Sequence, residues 1–448
     1  MNAIVFVALI ASIYQISRRS VNDAVLRVYL PTLLLVPGIY SLRLAHMPPM
    51  NFSTLAAYPI GFALLFTQMR NWKFTRMDLW VILFSLGAFY SNLAATGMND
   101  AIFFMFDMVA SALIPYMIGK LLLEQDGMRE KFVRRFVGLM FIAAVLSLCE
   151  FRMGTNLFTT FFGTFFPDQK PWLMQVRGGW VRVAASYQSA ELCGIVFLGA
   201  LMLSRWLVFI DKDKPEKKYL RVRRSVIVFL ALALGVFMSE SRGPWLGGIL
   251  GVIIAQIGAS KNVRRMAVII GIFLAIGGTA GYFYAQKYTA GSIYDAQDLE
   301  QESAIYRRQL MDNYKPIVEE GGLFGWGAVD FPKVPGQNSV DNEFLLVQIT
   351  QGKLGFWLYV LICAETALSL VRASGKTTNA ADLCFYSCLG GILGGELLTL
   401  TTVYMGGQTY MLFFLTVGWS QSVRETVAAT AAVPQIAAGR FAFQKVFA

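Results

Sequence analysis

Again and again along this chain, most of twenty successive residues are apolar, as in 54–70, 101–123, 187–210 and 383–402. No other feature limits the fold so sharply. About 20 apolar residues in a helix cross a bilayer, and inside it the backbone must satisfy its own hydrogen bonds. Composition agrees: 15% of residues are charged and the mean hydropathy is +0.53, whereas soluble domains carry roughly a quarter charged residues. The expected class is an all-α polytopic membrane protein of about 12–14 transmembrane helices. They are expected near 2–17, 26–42, 54–70, 77–96, 101–123, 132–150, 187–210, 225–239, 244–259, 266–286, 344–371, 383–402 and 408–423.

The net charge of +11 would suit a nucleic-acid partner if it were spread evenly, and it is not. Of 39 Lys and Arg, 24 fall in alternate loops at Arg18–Arg27, Arg70–Arg76, Lys120–Arg135, Arg205–Arg224, Lys261–Arg265 and Arg372–Lys376. That bias orients these loops to the cytoplasm, so no nucleic-acid partner is expected. It places the N-terminus outside and the C-terminus inside. The start has no basic, cleavable leader pattern. His46 is the only histidine and the five cysteines are scattered in or beside apolar helices, so no metal site is expected. Cys384 and Cys388, one helical turn apart, are expected to be packing thiols.

The expected organisation is N-terminal membrane helices over 1–150, a first outer loop over 151–186 and central helices over 187–286. A large outer loop over 287–343, C-terminal helices over 344–423 and a cytoplasmic tail over 424–448 follow. Long connections between membrane helices are where function concentrates, and both outer loops are expected to cap a cavity. Arginine is conspicuous there, at Arg177, Arg182, Arg242, Arg307 and Arg308. Guanidinium grips phosphate oxygens in a bidentate fork, although Arg also snorkels to lipid headgroups. The Phe161, Phe162, Phe165 and Phe166 run is expected to be an interfacial aromatic belt. Trp172 and Trp180 are open to either that role or stacking on a sugar.

"SESRGPWLGGILG" opens a helix at Pro244, with Ser239, Glu240 and Ser241 suited to capping. Gly243, Gly247, Gly248 and Gly251 would let a second helix approach closely. Arg242 is costly there unless it meets Glu240, a headgroup or a ligand.

Four segments in order carry a family resemblance over roughly 180–360. They are "VRVAASYQSAELCG", "SESRGPWLGG", "AIYRRQLMDNYKPIVEEGGLFGWG" with its Gly325-x-Gly327, and "SVDNEFLLVQITQGKLGF". Together they resemble the O-antigen polymerase and O-antigen ligase family, the Wzy-like and ligase-like envelope proteins. The resemblance implies a GT-C-like helical fold and a metal-independent, cofactor-free glycosyltransferase. Its donor and acceptor would be undecaprenyl-pyrophosphate-linked oligosaccharides of O-antigen, exopolysaccharide or capsule at the periplasmic face. Membrane lipids, a chain-length regulator and a flippase are the further partners implied.

Residue by residue, the match falls on Arg182, on Ser241-Arg242-Gly243 and on Arg307, with Arg308 as its alternative. Ligases carry His-Asn where this chain has Asp341-Asn342, which shifts the expectation from ligase to polymerase. Negative charge builds on the leaving pyrophosphate, so fixed guanidinium groups would stabilise it. The attacking hydroxyl must lose a proton, and Asp341 stands in place for that, with Glu343 next. Arg177, Arg308, Asn342, Glu343 and Trp180 complete the expected substrate contacts. The rivals are an O-antigen ligase, a flippase for the same lipid-linked glycans, which would show repeated halves, and an export scaffold.

Overall fold

The computed structural model describes residues 2–432 except 216–217, 220–221, 259, 261–278, 280–282, 285, 292 and 338. The span expected near 266–286, the Lys261–Arg265 loop and tail residues 433–448 therefore lie largely or wholly outside the described residues. The rest is mainly helical, with only short two-stranded ladders. The membrane helices are α1 (Phe6–Arg18), α2 (21–35), α3 (Phe52–Thr67), α4 (Arg76–Thr96), α5 (Met98–Leu121) and α6 (Met128–Met153). After the short α7 (Leu157–Gly163) come α8 (Ala190–Ile210), α9 (Arg224–Met238) and α10 (Arg242–Gly258). Then α11 (Leu299–Glu320) precedes α12 (Glu343–Lys376), α13 (Ala380–Leu400) and α14 (Gly407–Ala432).

Among the described residues six helices are long and apolar enough to cross a membrane: α4, α5, α6, α8, α12 and α13. Three shorter helices, covering 3–18, 52–67 and 224–238, are also apolar. Phe66 (74%), Ile249 (60%) and Val371 (67%) point outward, which water would penalise and lipid does not.

Helix starts follow local chemistry. Ser20, Asn51, Ser189, Asp298 and Asn379 each precede a helix and accept an N–H from its first turn. The second helix ends at Leu35, short of the expected 42, because Pro37-Gly38 leads into a two-stranded ladder of Ser41–Leu42 with Met50–Asn51.

Ion pairs join the basic loops to neighbouring helices and to one another. The Lys120 ammonium, buried with Asp78 (2.7 Å), also donates to the Lys73 carbonyl (2.7 Å). Arg129 reaches Asp382, and Arg134 reaches Asp211 at 2.7 Å.

Close helix contact in the C-terminal half rests on small residues. Gly247 and Gly251 of α10 face Gly395 and Gly391 of α13. A Cβ on Gly247 would meet the Gly395 carbonyl at 2.4 Å, and one on Gly251 the Gly391 carbonyl at 2.7 Å. In lipid, where helices gain no hydrophobic drive to associate, this backbone-to-backbone fit supplies the dispersion contact.

The α12 helix is broken. Gly352 sits at φ +65° inside it, which leaves carbonyls before it and N–H groups after it without helical partners. The segment after α11 repairs the break: the N–H groups of Trp326 and Gly327 donate to the Ile349 and Thr350 carbonyls (both 2.9 Å). In return Lys353 and Leu354 donate to Gly322 and Leu323 (3.2 and 3.0 Å). A Cβ on Gly325 would meet the Gly352 nitrogen at 2.4 Å. The Gly-Trp-Gly motif is thus a plug for a discontinuous membrane helix, and it anchors α11 over the bundle.

Candidate functional site

The first long loop is less irregular than its sequence suggests. Strands β1 (Gln175–Arg177) and β2 (Trp180–Arg182) form a hairpin, closed by Gly178 and Gly179 at φ +55° and +82°. The Phe run does not act as one belt: Phe166 is buried against Tyr40 (5.2 Å between rings), while Phe161 is 60% exposed. Trp180 stacks on Phe151, with ring planes 7° apart.

Beyond the hairpin the chain is clamped. Val183 donates to the Met238 carbonyl (3.0 Å), and Ala184 and Ala185 donate to the Glu150 carboxylate (3.1 and 2.9 Å). That grip holds Ala185 at φ +49°, a conformation side chains rarely adopt.

Arg182, only 7% exposed, is fixed by this clamp. Its guanidinium donates to Gln175 Oε1 (2.8 Å), to the Ser239 carbonyl (3.4 Å) and to the Glu191 carboxylate. Arg177 donates to the Glu240 carbonyl at 3.1 Å. Glu240 itself turns at φ +44°, presenting that carbonyl.

Arg242 opens α10. Its partner is not Glu240 but Glu300 of α11, at 3.2 Å, with both side chains well exposed. Such a pair contributes about 0–1 kcal/mol, so a ligand can displace it at little cost.

Arg307 sits half-buried on α11 and makes no hydrogen bond or ion pair among the described residues. Burial pushes its guanidinium down from the ordinary range. Asp341 and Glu191 oppose that shift, and Arg242 and Arg182 reinforce it. Arg177 is likewise lowered, by burial first and then by Arg182, Arg242 and, more weakly, Arg307. Four guanidinium groups from three parts of the sequence therefore share one field. Arg308 does not join them: it is exposed and donates to the Gly291 carbonyl (2.9 Å).

At the opening of α12 the roles divide among three neighbours. Asn342, not Asp341, is the cap, its side-chain oxygen accepting from Leu345 N–H (3.1 Å). Among the described residues Asp341 accepts only from the Ser339 hydroxyl (2.8 Å), while the Ser339 carbonyl accepts from the Tyr306 hydroxyl (3.0 Å). Burial raises the Asp341 carboxyl above its usual range. The Ser339 bond opposes this, Glu191 adds to it, and Arg307 opposes it. A carboxylate poised this way is a better proton acceptor than a free one. Glu343 turns away, buried, to accept the Met405 N–H at 2.7 Å.

Arg177, Arg182, Arg242, Arg307 and Asp341 thus come together. Asn342 and Glu343 serve the helix and the α13–α14 turn beside them, Trp180 pairs with Arg177 in the hairpin with its ring on Phe151, and Arg308 stands apart. Missing from the sequence reading were Glu191, Glu300 and Glu150. Glu191, in the first turn of α8 and nine residues after Arg182, was the one with a readable signal.

Residues 227–360 match the family model described as O-antigen ligase. The match takes in Arg242, Arg307 and Asp341 and leaves out Arg177 and Arg182. No curated protein matches the chain.

Proposed function

For a multi-pass membrane chain of the O-antigen polymerase and ligase family, we propose a polymerase. It extends glycans by joining polyprenyl-pyrophosphate-linked oligosaccharide units at the periplasmic face of the bacterial inner membrane. The observation that carries this is Arg307: a half-buried cation, without a direct partner among the described residues, in the electrostatic field of Arg182, Arg242 and the acid Asp341. An anion completes such a site, and a carboxylate beside it is a base.

The donor pyrophosphate lies among Arg242, Arg307 and Arg182, with Arg177 at the rim. An acceptor hydroxyl gives its proton to Asp341 while its oxygen attacks C1 of the donor sugar. The C1–O bond to pyrophosphate breaks as the glycosidic bond forms, which inverts the anomeric centre. Charge moves onto the leaving phosphate oxygens, where preorganised guanidinium groups stabilise it without solvent rearrangement. Asp341 in the position where ligases carry His favours polymerase over ligase.

The test is genetic. Cells lacking this chain should make surface glycan of single-unit length. Wild type should restore long chains and Arg307→Lys, expressed equally, should not. Restoration by Arg307→Lys would remove the anion site from the account.

A further inference from the structure

A cavity of about 130 Å³ opens beside the first turns of α3 and α14. Asn51, Ser53, Trp172, Gln188, Gln408 and Thr409 line it, with glycines 38, 406 and 407 thinning the wall. No Asp, Glu, Lys, Arg or His does. A wall of amides and hydroxyls without a formal charge has nothing to offer pyrophosphate, and the Arg set already offers it. It suits a neutral polyhydroxyl ligand, and Trp172 adds the flat apolar face on which one side of a sugar ring can rest.

Its polar groups are not all spent on the fold. Asn51 uses its oxygen to cap α3 through Thr54 N–H (2.8 Å), and its Nδ2 donates to no partner among the described residues. Gln408 uses its Nε2 on the Leu33 and Val36 carbonyls (2.8 and 3.1 Å) and keeps its oxygen. Gln188 donates its Nε2 to the Tyr404 hydroxyl (2.5 Å), again leaving its oxygen. These are an unspent donor and two unspent acceptors around one space.

The cavity also has the right neighbour. Tyr404, bonded to Gln188, lies within the field of Asp341. The following residue, Met405, is tied to Glu343. Tyr404 thus links the cavity wall at Gln188 to the surroundings of Asp341.

We propose that this cavity is the acceptor-sugar subsite, holding one neutral ring against Trp172 and on Gln188, Asn51 and Gln408 so that a hydroxyl is presented to Asp341. This rests on the transferase reading above and names its acceptor side. Donor and acceptor recognition are then divided: charge for one, neutral amides and an aromatic face for the other.

The experiment uses the purified full-length chain in detergent and two soluble probes. One is the neutral oligosaccharide repeat released by mild acid from the producing cell's own polysaccharide, and the other is inorganic pyrophosphate. Binding is read by calorimetry or saturation-transfer NMR. Gln188→Leu and Trp172→Ala should each weaken the oligosaccharide about tenfold and leave pyrophosphate unchanged, while Arg307→Lys should do the reverse. Thermal unfolding checks that both variants are folded, and two variants guard against one distorting Tyr404. In chain extension Gln188→Leu should raise the acceptor KM and largely spare kcat. Wild-type oligosaccharide affinity in both variants overturns the subsite, as does failure of the wild-type chain to bind the oligosaccharide. If binding depends on Trp172 and Gln188 but no chain extension occurs, the subsite stands and the polymerase reading falls.

Discussion

Asp341→Asn separates a base from a cap because the structure assigns those tasks to adjacent residues. The α12 cap belongs to Asn342, so exchanging Asp341 removes no cap, and an asparagine oxygen can still accept from Ser339. The folded chain raises the Asp341 carboxyl, by burial above all. A carboxyl raised on folding binds its proton more tightly in the folded state, so its contribution to stability falls as pH rises through that value. Removing it at neutral pH therefore leaves thermal stability equal or slightly higher. Catalysis should fall by about 10²–10⁴-fold, the usual worth of a positioned base.

The wild-type rate should also show an acid limb above the usual carboxylate range, because the base must be deprotonated to work, and the variant's residual rate should lack it. Asn342→Ala should behave oppositely, losing about 1 kcal/mol of stability with the base intact. The assay pairs thermal unfolding with gel analysis of lipid-linked products from pH 4 to 8. An Asp341→Asn enzyme that extends chains at the wild-type rate, or that melts like a decapped helix, refutes the reasoning.

Arg242→Lys and Arg307→Lys should each largely abolish product while keeping charge, because an ammonium cannot reproduce a bidentate grip; full activity in both, at equal expression, would return them to lipid headgroup contacts. Gly325→Ala should lower stability by about 1–3 kcal/mol from backbone strain alone. Its φ is +72° and the new Cβ would press on the Gly352 nitrogen, so an unchanged melting temperature would argue against the plugged break in α12. In a cysteine-free background, a cysteine at position 298 should react with an impermeant reagent from outside and one at 214 should not; the reverse labelling would invert the orientation.

The membrane helices were legible because lipid demands long apolar runs. The small-residue face of α10 was legible for the same reason, although its partner α13 was not. Lost to sequence was everything set by distance along the chain. Glu300 lies 58 residues from Arg242, and Glu150 lies 34 from the turn it clamps. The choice between Arg307 and Arg308 was open because neighbours on a helix point about 100° apart, and only the docked face decides. That Asn342 rather than Asp341 caps the helix was not legible, because either residue type caps and the first helical residue decides. The break at Gly352 gave no apolar signal at all, and the motif that repairs it was visible only as two glycines.

One measurement tests the central claim most directly. The purified chain, reconstituted in vesicles, is given lipid-linked repeat units alone, and in a second reaction the same units with lipid A–core as acceptor. The account predicts a ladder of lipid-linked products spaced by one repeat unit in both reactions and no glycan on lipid A–core. Glycan transferred to lipid A–core without a ladder, or movement of the units across the bilayer with no new glycosidic bond, would contradict it.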